Sequence, residues 1–150
     1  MSNVAIIAPF LYIVNDRRWY TFSMENPEKL GMNLEQVEIE KCKKALELYM
    51  LSRREYSKDD TPLDEFNIRM IGVNAEFLVK NGNRDGVRIG GPMSSNMKFN
   101  YSKLPGLGGE KMFWIDANNT DEEDPDFQVF QKIVADKFKE QGLPFYSHSQ

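Results

Sequence analysis

The sequence predicts an α+β domain spanning residues 1–150: an antiparallel or mixed sheet of about five to six strands with two amphipathic helices. Three observations predict it. The chain has 150 residues, enough for one ordinary core and short of the size at which chains split. Hydrophobic residues make up 41% and charged residues 28%, which is globular composition. Runs of β-forming residues cluster together and do not alternate with helical stretches, which argues against a doubly wound parallel sheet.

The elements follow in order. Residues 4–14 and 18–24 are β-prone, and Asn15-Asp16-Arg17 between them has turn chemistry, so an antiparallel hairpin is expected. Pro9 cannot donate to a ladder and points to an edge or bulge. Asn26-Pro27 and Gly31 form a connector. Asn33 then resembles an N-cap, with Gln36 placed as in a capping box. Ile39, Cys42, Leu46 and Tyr49 recur at spacings of three and four, widened by Ala45 and Met50, and predict a helix over about 34–54. Glu35, Glu38 and Glu40 lie early and Arg53 and Arg54 late, complementing the helix dipole.

Beyond the polar loop 57–62, residues 66–73 alternate and read as a strand, followed by a short apolar run over 75–80. Asn81-Gly82-Asn83-Arg84-Asp85-Gly86 is a turn cluster, and Val87-Arg88-Ile89 resumes strand character, so a second hairpin is expected there. Residues 90–110 are rich in Gly, Ser, Asn and Pro and read as a flexible loop, with a short strand expected at 97–101. Residues 111–115 make a compact strand. Asp124-Pro125 is an N-cap with Pro at the first helical position. Phe127, Phe130, Ile133, Val134 and Phe138 then keep helical spacing until Gly142 and Pro144 stop it. Residues 145–150 read as a short tail with two aromatic anchors.

Composition discards many chemistries. One Cys (Cys42) and one His (His148) exclude an intrachain disulfide and a Cys/His zinc cage. His148 sits in the terminal tail, where no second shell would hold a catalytic base. Cys42 falls on a helix's apolar stripe, the usual place of an inert thiol. Gly106, Gly108 and Gly109 lack the Lys-Ser/Thr of a phosphate loop and precede a strand in place of following one. Asp116, Asn118, Thr120 and Glu122 have the alternate spacing of a calcium loop, but Asp121 and Phe127 stand where Gly and Glu are required. No catalytic residue, no metal site and no cofactor is therefore expected; a carboxylate- or metal-dependent enzyme, using residues such as Asp64, Glu65 and Glu76 with Lys80, is the least favoured reading.

The 19 Lys and Arg against 23 Asp and Glu give a net charge of −4, so no global basic field draws nucleic acid. Cations and aromatics nevertheless mix locally. Arg17, Arg18, Trp19 and Tyr20, with Arg53 and Arg54 after the first helix, form the candidate surface for single-stranded nucleic acid, the alternative function. The favoured one is a non-enzymatic protein-binding module, such as a small assembly component or an inhibitor of another protein, of the kind viruses encode. Its candidate contacts are Met93, Met97, Phe99, Tyr101, Leu107 and Phe113, adaptable apolar groups in or beside the Gly-rich segment. The expected partner is another protein or a second copy, with no membrane. The apolar start, residues 4–14, is too short for a bilayer span and lacks basic flanks, and a lone Cys suits a reducing compartment, so a cytoplasmic location is expected.

Overall fold

A computed structural model describes residues 10–13, 19–22, 33–88, 97–104, 109–117 and 124–147, with backbone alone for the first two segments and residue 117. The elements run β1 (Phe10–Ile13), β2 (Trp19–Phe22), α1 (Leu34–Tyr56), α2 (Glu65–Asn81), β3 (Met97–Ser102), β4 (Met112–Ala117) and α3 (Pro125–Glu140). The α+β character stands, but the expected sheet does not. Among the described residues the strands form two separate two-stranded antiparallel sheets, β1–β2 and β3–β4, and there are three helices in place of two.

The first hairpin pairs Ile13 with Trp19 and Phe10 with Phe22; its expected turn lies outside the described residues. In the second sheet Met97 pairs with Ala117 and Ser102 with Met112. Single-residue bridges extend this sheet on both edges: Val87 exchanges both backbone hydrogen bonds with Phe99, and Phe145 bridges Phe113. Val87 thus joins β3 and does not close a hairpin with 75–80. The segment at 144–146 is tied to β4, with the Phe113 amide donating to the Pro144 carbonyl and Tyr146 donating back to Phe113.

The largest correction concerns 66–73, which is not a strand but the first half of α2. Two forces decide it. Asp64 and Asn67 form a reciprocal capping box, each side chain accepting from the other's backbone amide at 2.8 and 3.0 Å. Ile71, Ala75 and Leu78, spaced four and three apart, are buried on one face. The apparent alternation came from Phe66 and Ile68, both exposed. Asp64→Ala should cost about 1 kcal/mol through the lost cap, read as a lower urea midpoint with an unchanged slope; an unaltered midpoint would show that α2 does not need its box.

The helix α1 is central. Val37, Cys42, Ala45, Leu46, Leu48, Tyr49 and Met50 are all buried, a band too wide for one stripe, because α2 and α3 both pack on it. Its N-cap is half of the expected box: Asn33 accepts from the Gln36 amide at 2.7 Å, while the Gln36 side chain turns instead to Glu40. Ser52, fully buried, satisfies its hydroxyl on the Leu48 carbonyl at 2.7 Å. The third helix begins as expected at Asp124-Pro125. It ends in a Schellman turn, with Gly142 at positive φ, its amide bonded to Lys139 and the Leu143 amide to Phe138. Phe127, Phe130, Val134 and Phe138 face inward from it.

Candidate functional site

The residues singled out for protein binding divide sharply. Met97, Phe99 and Tyr101 alternate along β3 and point with Phe113 of β4 into the core, where all four are buried. The physical reason is the two-residue period of a strand: the sequence places every second residue of 97–101 on one face, and that face is closed by α1 and α3. Phe99 stands 4.8 Å from the Tyr49 ring and 6.1 Å from that of Phe138. These four side chains are therefore not accessible to a partner in this fold. Met93 and Leu107 lie outside the described residues.

The nucleic-acid set is not assembled by what is described. Arg17 and Arg18 lie outside the described residues, and only the backbone of Trp19 and Tyr20 is described, on β2. Arg53 and Arg54 are half-buried in the last turn of α1. Arg54 donates to Asn67 Oδ1 at 3.1 Å and stands 3.8 Å from Asp59. It braces the connection between α1 and α2.

One polar cluster bridges α1 to the β3–β4 hairpin. The Tyr101 hydroxyl donates to Glu38 Oε1 at 2.7 Å. The Lys41 and Lys111 ammonium groups lie 5.5 and 5.4 Å from the Tyr101 ring centroid, within cation–π range. Burial pushes the Tyr101 hydroxyl far up from its ordinary value, and the hydrogen bond to Glu38 raises it further. Burial likewise raises the Cys42 thiol, with Glu38 adding to the shift and Lys41 and Lys111 opposing it. Both groups stay protonated at neutral pH, so neither is poised as base or nucleophile. The cluster works as a polar lock between helix and hairpin.

Carboxylates are dispersed. Among the described residues no group of three His, Cys, Asp or Glu side chains is placed to hold a metal ion. Asp64 is consumed by the α2 cap, and Glu65 and Glu76 lie on that helix's exposed side. Asp85 is held below the usual carboxylate range by its hydrogen bond from Lys98, 2.7 Å away, which ties the loop after α2 to β3. Among the described residues no helix is long and apolar enough to cross a membrane.

The feature sequence reasoning missed is the outward face of α2. Its inner face is satisfied on α1, yet Phe66 is 60%, Ile68 47% and Val73 67% exposed. Arg69, Glu76 and Lys80 share this outer side. Isolated exposed apolar residues such as Leu34 and Val129 are ordinary on any surface; Phe66 and Val73, about 20° apart on the side turned away from Leu78, form a pair, while Ile68 lies on the opposite flank beside Ala75. The signal was present in the Ile71–Ala75–Leu78 spacing, which identifies the buried side and hence its opposite. Gly72 and the false alternation before it masked that period. No protein-family model matches the chain, and no curated protein and no solved structure proved similar to it.

Proposed function

We propose that the chain is a non-enzymatic protein-binding module, a small assembly component or an inhibitor of another protein, and that the outward face of α2 is its interface. The observation carrying this reading is the exposure of Phe66 and Val73 together on the side of a helix whose other side already packs on α1. Burying these two side chains against a partner would contribute about 1.5 to 3 kcal/mol each before the costs of association. Arg69, Glu76 and Lys80 would supply the polar rim that sets orientation.

The test is site-specific photocrosslinking in the cells that produce the protein. A benzophenone side chain in place of Val73 should yield a protein adduct, whereas one in place of the exposed Lys132 on α3 should not. Equal labelling at both positions, or none at Val73, would remove the α2 face as the interface.

A further inference from the structure

The outer stripe of α2 has a charge order that reads the same in both directions. At about 100° per residue, Glu65, Arg69, Glu76 and Lys80 fall within an arc of about 60°, diametrically opposite the buried Leu78. All four are exposed, as is Val73 beside them. Glu65 and Lys80 stand equally far on either side of the Gly72–Val73 peptide, and so do Arg69 and Glu76. Each pair joins opposite charges. An antiparallel copy of the same helix, related by a two-fold axis at that peptide, therefore meets acid with base at every position of the stripe. A parallel copy would set like charges level with one another. The ion pairs formed among the described residues engage none of these four side chains.

The centre of the stripe is shaped for close approach. A Cβ at Gly72 would meet nothing within 4 Å, so the helix surface has a gap there. Glycine inside a helix is less favourable than alanine, and no neighbour among the described residues requires it here. Val73, beside the axis, would lie against its own counterpart.

We infer that the partner of the α2 face is a second copy of this chain, bound antiparallel through α2 about a two-fold axis at Gly72–Val73. This rests on the reading of α2 as an interface and names its occupant. Arg69 pairs with Glu76 of the second copy and Glu65 with its Lys80, each contact occurring twice, as an isologous interface demands. A single helix pair covers little area, so the dimer is weak, with a dissociation constant on the order of 10–100 μM.

Sedimentation velocity of the purified full chain, from micromolar to millimolar concentration, tests this. A monomer–dimer equilibrium is expected, weakened at high salt. Arg69→Glu and Glu76→Arg should each weaken it by roughly tenfold or more, since each replaces two attractions with two repulsions. The double variant Arg69→Glu/Glu76→Arg restores complementarity and should restore the dimer. All of these positions are exposed, and circular dichroism confirms that each variant is folded. A chain monomeric throughout, or a dimer indifferent to the single reversals, or singles that the double does not rescue, would overturn the inference. If position 73 crosslinks to a different protein while the purified chain stays monomeric, the interface stands and the second copy falls. If position 73 crosslinks to nothing, both fall.

Discussion

Phe99→Ala should destabilise the protein by about 3 to 5 kcal/mol. Phe99 is the point at which four elements meet. Its ring lies 4.8 Å from Tyr49 of α1, 5.7 Å from Phe113 of β4 and 6.1 Å from Phe138 of α3. Its backbone exchanges hydrogen bonds of 2.8 and 2.9 Å with Val87. Because that backbone is pinned, β3 cannot sink to fill the space a lost ring leaves. The cost therefore combines lost transfer free energy with an unrelaxed cavity. Natural domains have about 5 to 15 kcal/mol in all, so the variant would stand near the edge of folding. The measurement is the urea midpoint, with Phe99→Leu alongside as a smaller truncation that remains folded. A loss below about 1 kcal/mol for the alanine variant would mean that Phe99 faces a partner or solvent, as its place in a Met- and aromatic-rich segment had suggested.

That contrast marks what the sequence makes legible. Local signals fixed α1, α3, the first hairpin and the strands at 97–101 and 111–115: Asn33 and Asp124 are caps readable by type, Gly142 and Pro144 are stops, and Met97-Lys-Phe-Asn-Tyr101 alternates. The identity of the strand at 97–102 was readable; the fate of its inward face was not. Flanking Gly, Ser and Asn give a segment the composition of surface, while burial of Phe99 depends on α1 and α3 closing over it from 50 residues upstream and 39 downstream (Tyr49 and Phe138). The failure at α2 has the opposite cause. Phe66 and Ile68 are exposed although apolar, and they imitate a strand period over the first turn of a helix. The deciding interaction, the Asp64–Asn67 box, is local and was present in the sequence, but an Asn at its third helical position is less familiar than Glu or Gln. Since the proposed interface is the side of α2 turned away from α1, losing the helix also lost the site. The expected sheet of five to six strands fails for the same reason, because it includes residues 66–80, which are helical.

Gly82→Ala should cost about 2 to 3 kcal/mol, and here the sign of the effect is the test. Gly82 follows α2 in right-handed helical conformation, φ −60° and ψ −25°, so alanine is conformationally welcome there. Taken alone, helix propensity would make the alanine variant more stable by up to about 1 kcal/mol. Packing opposes this. A Cβ at Gly82 would stand 2.5 Å from the Tyr101 carbonyl oxygen and closer still to that of Leu78, and both are backbone atoms. Neither can withdraw cheaply. Leu78 is held by the 2.9 Å bond its carbonyl accepts from the Gly82 amide. Tyr101 is held by its pairing with Phe113 and by the Glu38 bond to its hydroxyl. The hairpin must therefore shift away from the end of α2. That movement has a second readout, because Cys42 is fully buried and its thiol is kept protonated by burial. Labelling of Cys42 by an aromatic disulfide reagent should be negligible in the native protein and measurably faster in Gly82→Ala, as local opening becomes more frequent. A variant that gains stability, with Cys42 as protected as before, would show that the end of α2 and β3 do not approach as closely as this, and the Tyr101–Glu38 lock that depends on the same spacing would lose its support.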